Sequence, residues 1–441
     1  MKHTLALVCG AGLRFVTYSI GRPVEKQPLS IGESKGEPLM ATDPSFSINK
    51  EGLAKALAVL EHDFLPDECE DLPRSLPETG LGEFATLERL APLVLGNAAR
   101  LDSPIALAHM DPPTPWITWA IALWNARLNQ NLLHPVVSPF AREAESTLID
   151  WMTPFYGMNG GHMTPGSSLA NLTALWAARD VAGIHRVVAS SSAHISIAKS
   201  ARILGLEFET RSVDTQERLS VEALGDLSDA CLVLTAGTTS TGAIDPLHVA
   251  ANPAWTHVDA AWAGPLAFSN VYSDLLSGID RADSIVVSAH KWLFQPKESA
   301  IVLFRDVERA NSAISFGGPY LTTPGVGVLG SHGAMAIPLL GTLMAWGRDG
   351  LAHRIELCMQ NADSLARTID ANADFELFAE PKTGVVVFRP KSGNIDTVAQ
   401  HLTPTTVSTT VINNDLWLRC VAANPNADMA AIQARIMPTS N

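Results

Sequence analysis

Short apolar runs alternate with helical patterns between residues 150 and 306. The strand-like runs are RVVAS (186–190), CLVLT (231–235), WTHVD (255–259), SIVVS (284–288) and AIVLF (300–304). Strands that stay apolar along most of their length are typical of a parallel sheet that helices cover on both faces. This segment therefore predicts an α/β domain.

The segments on either side of this domain differ in composition, so we expect three parts. Residues 1–105 hold a Gly-, Pro- and Ser-containing arm and a Pro-rich connector, and the α/β domain occupies 106–334. After residue 335 a long helical stretch leads to the strand-like runs TGVVVFRP and LWLRCVAAN. We expect 335–441 to form a smaller α+β domain.

Charge and cysteine content exclude several classes of function. The 441 residues include 31 Lys and Arg against 45 Asp and Glu, a net charge of −14 without a basic stripe, which argues against a nucleic-acid partner. The five cysteines are scattered and lack CxxC spacing, so we expect neither disulfides nor a metal site. No apolar run is long enough for a membrane span, and MKHTLALVCGAGL lacks a clear cleavage site. We therefore expect a cytoplasmic protein, with an export signal as the alternative.

Lys291 stands out within SIVVSAHKWLFQPKES (284–299), because bulky apolar residues follow it directly. Partial desolvation lowers the pKa of a lysine and makes its amine nucleophilic, which favours Schiff-base chemistry. The alternative is a loop lysine that reaches into solvent. Partner residues elsewhere in the sequence must decide between the two.

Polar residues follow several of the predicted strands, where ligands bind in open parallel sheets. Asp259 ends WTHVD, and Thr238 follows CLVLT. In TPGSSLANLTALWAARD, Ser168 has the position of a helix N-cap, and a Gly-Ser-Ser turn that opens a helix can bind a phosphate. Taken alone, Asp259 can also cap a helix, and His194 can also be a core histidine.

Together these residues match what pyridoxal 5′-phosphate requires. That cofactor needs an anion site at a helix N-terminus, a flat group against its ring, a carboxylate at its pyridine nitrogen and a lysine for its aldehyde. The candidates occur in that order along the chain, as Ser167 and Ser168, His194, Asp259 and Lys291. Four elements in sequence favour this cofactor over four separate structural roles.

Five segments carry a resemblance to a known family. HVDAAWAG, SAHKW, AHISIAKSARILG, GTTSTGAIDP and SPFAREAESTLIDWM resemble the group II pyridoxal-phosphate-dependent amino acid decarboxylases, which act on glutamate, aromatic amino acids, diaminobutyrate and related substrates. The resemblance covers about residues 105–425. It implies the aspartate-aminotransferase type of fold, with a mainly parallel seven-stranded sheet in the large domain and a smaller C-terminal domain. It also implies a homodimer with active sites at the interface.

The resemblance implies a role for each candidate residue. Lys291 would bind the cofactor covalently, Asp259 would pair with the pyridine nitrogen, His194 would stack on the ring, and Thr238 would lie beside it. Arg419 in LWLRCVAAN would grip the substrate carboxylate or support the site. The phosphate would be bound by Ser167, Ser168, Ser288 and His290.

The sequence departs from the family after the lysine segment. Many members have a long loop there with a tyrosine that returns a proton to the substrate, whereas GGPYLTTPGVGVLGSHGAMA is short. Tyr320 matches the tyrosine before that loop better than the catalytic one, and His332 replaces the arginine of a family GSR. Both remain candidate catalytic acids, because a histidine can donate a proton near neutral pH.

Three functions are compatible with these residues. The first is decarboxylation of an L-amino acid to its amine and carbon dioxide. The second is another pyridoxal-phosphate reaction, such as aldehyde formation, lyase or aminotransferase activity, because a scaffold fixes the cofactor more firmly than the bond that is broken. The third is a catalytically weak homologue that serves as a binding subunit.

Overall fold

The computed structural model contains two compact units, Met1–Ala98 and Ala99–Asn441. The residues that it describes are 3–7, 14–18, 43–62, 64, 72–319, 321 and 325–437. The predicted domain boundaries at residues 105 and 334 stay predictions. No helix in the described part of the chain is long and apolar enough to cross a membrane.

The first unit contains one antiparallel strand pair and two helices within the described residues. The strands are β1 (His3–Leu7) and β2 (Arg14–Tyr18), and the helices are α1 (Lys50–Ala58) and α2 (Glu83–Gly96). The strand pair was not expected from the Gly- and Pro-containing composition of the arm. Most of the arm lies outside the described residues.

The second unit holds the remaining elements. Its helices are α3 (Trp116–Leu128), α4 (Pro139–Met152), α5 (Ser167–Ala182), α6 (Ile195–Leu204), α7 (Val307–Ile314), α8 (Ala336–Asp370), α9 (Ile395–Gln400) and α10 (Met429–Ile436). Its strands are β3 (Gly160–Thr164), β4 (Arg186–Ser190), β5 (Glu207–Arg211), β6 (Ala230–Thr235), β7 (Trp255–Asp259), β8 (Ser284–Ser288), β9 (Ala300–Phe304), β10 (Ser315–Phe316), β11 (Gly325–Val326), β12 (Phe375–Leu377), β13 (Val385–Pro390), β14 (Ser408–Ile412) and β15 (Asp415–Val421).

A seven-stranded sheet forms the centre of the second unit, with strand order β3-β9-β8-β7-β6-β4-β5. The neighbours from β8 through β7, β6 and β4 to β5 are parallel, whereas β9 pairs antiparallel with both β8 and β3. The predicted α/β fold with a mainly parallel seven-stranded sheet is therefore confirmed.

The central strands β6, β8 and β9 are buried on both faces, which explains why they lack polar alternation. In β8, Ile285 and Val287 pack into one hydrophobic cluster, and Val286 packs into the cluster on the opposite face. A fully buried Val or Ile side chain contributes about 1.5–3 kcal/mol relative to an exposed one. An apolar residue at every position of such a strand is therefore favourable.

The C-terminal part of the second unit contains a four-stranded antiparallel sheet in the order β12-β13-β15-β14. The long helix α8 precedes this sheet and is interrupted at Gly347, which has φ 63°. The helical stretch and both strand-like runs predicted after residue 335 are confirmed.

The ends of the central strands bring polar residues to one edge of the sheet. Thr235, the last residue of β6, pairs directly with Asp259, the last residue of β7. Ser288 ends β8 on the other side of β7. Because these strands are parallel, their carboxyl ends share one edge, and a cavity lies there.

Candidate active site

A cavity of about 220 Å³ lies beside the ends of β6 and β7. Six of the residues singled out from the sequence line this cavity: Ser167, Ser168, His194, Asp259, His290 and Lys291. Thr235, Thr239 and Trp262 line it as well.

Asp259 is buried at the end of β7, and two neutral donors hold its carboxylate. The Asn171 side-chain amide donates to Oδ2 at 3.0 Å, and the Ala261 main-chain N–H donates to Oδ1 at 3.2 Å. Neither donor carries a charge. The carboxylate is thus oriented without being neutralised, and it keeps lone pairs for a cationic N–H in the cavity.

Lys291 owes its position to the residues that follow it. Trp292 and Leu293 are fully buried, the Trp292 ring lies 4.1 Å from that of Trp262, and its indole N–H donates to the Ala422 carbonyl at 3.3 Å. The apolar residues after the lysine therefore enter the core and hold the amine at the cavity wall. The side-chain amine of Lys291 has no hydrogen-bond or ion-pair partner among the described residues.

Burial lowers the pKa of the Lys291 amine from 10.5, and the nearby Asp259 carboxylate opposes this effect. A lower pKa increases the fraction of neutral amine, which is the nucleophilic form. The expected partial desolvation of Lys291 agrees with this burial, and its reactivity stays a prediction.

A turn at Gly166 lines the cavity where helix α5 begins. Gly166 has φ 106°, which a residue with a side chain rarely adopts, and it is the N-cap of α5. The prediction that Ser168 is the N-cap is therefore wrong, because the helix begins at Ser167. The first N–H groups of a helix lack internal partners and attract anions.

Buried polar atoms at the ends of the central strands and at the start of α5 are suited to a phosphate group. The hydroxyls of Ser167, Ser288 and Thr235 are buried and have no hydrogen-bond partner within the part of the chain that the structure describes. Burial lowers the pKa of His290 to about 4, and its Nδ1 accepts the Ser299 N–H at 3.4 Å, so the other ring nitrogen is free to donate. Buried hydroxyls without partners are costly, and a phosphate would satisfy them.

His194 is the N-cap of α6, and its Nδ1 accepts the Ser196 N–H at 3.2 Å. Its ring is solvent-exposed at the cavity wall. An exposed flat ring held by its own helix terminus is suited to packing against an aromatic ligand. The residues of the cavity thus fit pyridoxal 5′-phosphate at its ring, its ring nitrogen, its aldehyde and its phosphate.

Thr238 and Arg419 lie close to the cavity without lining it. The Thr238 hydroxyl is used within its own turn, where it meets the Thr241 hydroxyl at 3.0 Å and accepts the Ala243 N–H. Arg419 is buried and donates to the Thr239 carbonyl at 2.6 Å and to the Ser408 hydroxyl at 3.1 Å. Thr239, the neighbour of Thr238, lines the cavity instead.

Of the two candidate acids, only His332 lies among the described residues, and it does not line this cavity. Tyr320 lies outside the described residues. His332 lines a second cavity, of about 360 Å³, together with Glu145 and His162. The His332 Nδ1–H donates to the Gly330 carbonyl at 2.8 Å, which leaves Nε2 available.

Two residues of the site were missed from the sequence. Asn171 and His257 are fully buried, and a hydrogen bond of 3.0 Å joins Nε2 of His257 to Oδ1 of Asn171. The Asn171 amide also donates a hydrogen bond to Asp259. The available signal was the spacing of His257 and Asp259, because residues two apart in a strand such as β7 lie on the same face.

Comparison with known proteins shows the family of this chain. Residues 70–391 match the family model described as the pyridoxal-dependent decarboxylase conserved domain. The chain is 31% identical over 401 residues to L-2,4-diaminobutyrate decarboxylase of Rhizobium meliloti, with 80% of each chain covered. It is 28% identical over 404 residues to aspartate 1-decarboxylase of Aliivibrio fischeri, covering 77% of this chain and 72% of that one.

Solved structures support the fold. The Oryza sativa TDC structure with PLP and tryptamine superposes with a TM-score of 0.77 at 22% identity, covering 90% of this chain and 97% of that chain. The glutamate decarboxylase domain of a Vibrio parahaemolyticus diaminobutyrate-pyruvate transaminase and L-2,4-diaminobutyrate decarboxylase gives a TM-score of 0.75 at 23% identity, covering 87% and 93%. The family model and the Rhizobium relative confirm the resemblance seen in the sequence, and the chain belongs to the pyridoxal-dependent decarboxylases, with pyridoxal 5′-phosphate as its cofactor.

Proposed function

We propose that the Lys291 cavity is the active site in which this enzyme converts an L-amino acid to its amine and carbon dioxide. The observation that carries the proposal is the meeting of an unpartnered lysine, a buried carboxylate and unpaired hydroxyls in one cavity. Bound pyridoxal 5′-phosphate supplies an electron sink for the carbon–carbon bond that breaks. The names of the relatives, which are decarboxylases, support this reaction over the alternatives.

Each residue of the cavity has a distinct task in this proposal. Lys291 forms the covalent link to the cofactor, because its lowered pKa supplies a neutral amine. Asp259 holds a proton on the ring nitrogen, and His194 packs on the ring. The residues assigned to the phosphate are Ser167, Ser168, Ser288 and His290, and Thr238 supports the wall through its turn.

Arg419 is proposed to bind the substrate carboxylate or to hold the cavity wall. A guanidinium has five N–H donors, and the described bonds to the Thr239 carbonyl, the Ser408 hydroxyl and the Ala108 carbonyl use three. No carboxylate of the described residues pairs with it. Two donors therefore remain for a substrate.

Proton return to the substrate carbon is assigned to Tyr320 or His332, acting across the interface of a homodimer. This proposal is supported by the position of His332, which lines a different cavity of its own chain. Tyr320→Phe and His332→Gln should each change the ratio of amine to aldehyde product or the rate. If both variants retain the wild-type ratio and rate, neither residue is the donor.

A homodimer is supported by apolar side chains that a single chain exposes. Trp116 on α3 is 70% exposed, Trp124 is 60% exposed, and Phe140 on α4 is 65% exposed. Exposed aromatic residues are enriched at protein interfaces. A cytoplasmic location is proposed on the absence of CxxC pairs from the sequence and on the free thiols of Cys231, Cys358 and Cys420.

The test of the active-site assignment is Lys291→Ala, with Lys199→Ala on the exposed side of α6 as its control. Borohydride should fix the cofactor to the wild type and to Lys199→Ala, but not to Lys291→Ala. Carbon dioxide and amine should be measured with L-2,4-diaminobutyrate, L-aspartate and aromatic amino acids as substrates. A reducible cofactor link in Lys291→Ala would contradict the assignment, and absence of carbon dioxide from every substrate would contradict the reaction.

A further inference from the structure

A chain of buried hydrogen bonds leads from the far end of β7 to the Asp259 carboxylate. The Trp255 indole N–H donates to the Ser284 hydroxyl at 2.9 Å, and that hydroxyl lies 2.8 Å from Nδ1 of His257. Nε2 of His257 lies 3.0 Å from Oδ1 of Asn171, whose Nδ2 donates to Asp259 at 3.0 Å. All five side chains are buried.

The chemistry of the two ends fixes the direction of every bond. The indole can only donate, and the Asp259 carboxylate can only accept. Asn171 must therefore present its NH₂ group to Asp259 and its oxygen to His257. His257 must then carry its proton on Nε2, and the Ser284 hydroxyl donates to its Nδ1.

Asn171 has no freedom to rotate its amide within this arrangement. Its second N–H donates to the Ser196 hydroxyl at 2.9 Å, and Ser196 in turn lies 2.8 Å from Nδ1 of His194. A rotated amide would face Asp259 with its oxygen, which would place two acceptors in contact. Both groups that face the cofactor ring, Asp259 and His194, are thus connected through one amide.

We propose that Asn171 and His257 are positioning residues that hold the Asp259 carboxylate in the orientation needed at the ring nitrogen of the cofactor. This inference rests on the proposed pairing of Asp259 with that nitrogen. The residues act through neutral hydrogen bonds, so they orient the carboxylate without removing the negative charge that keeps the ring nitrogen protonated.

The charge state of His257 supports this role. Burial lowers the pKa of His257 to about 4, although the Asp259 carboxylate and a hydrogen bond with the Ser284 main chain oppose the effect. The imidazole is therefore neutral near pH 7, as the direction of the bonds requires. A cationic imidazole two bonds from Asp259 would compete with the ring nitrogen for the carboxylate.

Substitutions on the holoenzyme test the proposal. Asn171→Leu removes both bonds of the amide, and His257→Leu removes the support of its oxygen, whereas His257→Gln keeps one donor and one acceptor. The first readout is the pH midpoint of the visible absorbance band of the cofactor bound to Lys291. The second readout is the steady-state kinetics, from which kcat and KM are determined separately.

We expect Asn171→Leu and His257→Leu to lower kcat about 10- to 100-fold with little change in KM, the loss typical of a missing bond to a charged group. The pH midpoint of the band should rise by about 0.5–1 unit, because a less firmly protonated ring withdraws fewer electrons from the imine. His257→Gln should stay within about threefold of the wild type, since its bonds are kept.

A matched control is Thr173→Val, which removes a buried hydroxyl from the same helix outside the hydrogen-bond chain. It should leave kcat and the absorbance band unchanged. If Asn171→Leu fails to fold, the pair His257→Leu and His257→Gln decides. Equal damage in that pair would overturn the proposal, because it would indicate packing in place of hydrogen bonding.

Asp259→Asn separates this inference from the proposed function. If Asp259→Asn leaves the absorbance band and kcat unchanged, the proposed role of Asp259 is wrong. If Asp259→Asn impairs both while Asn171→Leu and His257→Leu impair neither, Asp259 has its role and the positioning inference is wrong. Impairment of both readouts in all three variants is the expected result.

Discussion

The buried imidazole of His257 should make the folded chain sensitive to acid. Burial lowers the pKa of His257 to about 4, compared with 6.5 for an exposed histidine. Between these values the unfolded chain binds a proton at His257 that the folded chain does not bind. The free energy of unfolding therefore decreases as the pH falls from 6.5 toward 4.

The size of this effect follows from the width of the pH window. Each pH unit inside the window changes the free energy of unfolding by about 1.4 kcal/mol. Between pH 7.5 and pH 5 the contribution of His257 should thus fall by about 2 kcal/mol. Because domains have total stabilities of about 5–15 kcal/mol, the change is large enough to measure.

Urea unfolding of the cofactor-free protein at several pH values measures this contribution, with the fluorescence of the ten tryptophans as the signal. The variant is His257→Gln, which keeps the hydrogen bonds but does not titrate. Its stability relative to the wild type should increase by about 2 kcal/mol between pH 7.5 and pH 5. The control is His185→Gln at an exposed position. A difference between wild type and His257→Gln that stays constant with pH would refute a neutral, buried His257.

Two further substitutions probe the cavity wall. Ser288→Ala removes a buried hydroxyl that has no partner among the described residues, so the stability of the cofactor-free protein should stay unchanged or increase. Cofactor binding, measured by fluorescence titration, should weaken about tenfold. Unchanged binding would remove Ser288 from the phosphate site. Gly237→Ala should destabilise the fold by about 2–4 kcal/mol in urea, because Gly237 has φ 97° and an added Cβ would lie 2.7 Å from Cδ1 of Trp262. An unchanged urea midpoint would contradict that strain.

The central sheet was predictable because a strand buried on both faces requires a continuous run of apolar residues, which the sequence shows. A strand such as β8, with Ile285, Val286 and Val287 in succession, has no solvent-facing side and therefore no polar alternation. The direction of a strand cannot be predicted from such a run. AIVLF is as apolar as the parallel strands, yet β9 is antiparallel to β8. Strand direction is determined only by tertiary pairing.

The candidate site was predictable where one residue type at a strand end implies a chemical task. Asp259 ends β7 and Lys291 follows the end of β8, and both residues line the cavity. Ser168 was assigned wrongly as an N-cap because the sequence did not reveal that Gly166 adopts φ 106° and starts the helix one residue earlier. Asn171 was missed because a polar residue on a helix identifies no partner until the helix packs on a strand.

Strand β7 connects the folding of the sheet with the arrangement of the site. Trp255, His257 and Asp259 lie on one face of β7, while Val258 packs into the hydrophobic cluster on the other face. A shift of β7 by one residue would turn His257 and Asp259 into that cluster and leave their hydrogen bonds unmade. Each buried polar group left without a partner costs about 1–3 kcal/mol, so the hydrogen bonds that orient Asp259 also select the register of the strand that carries it.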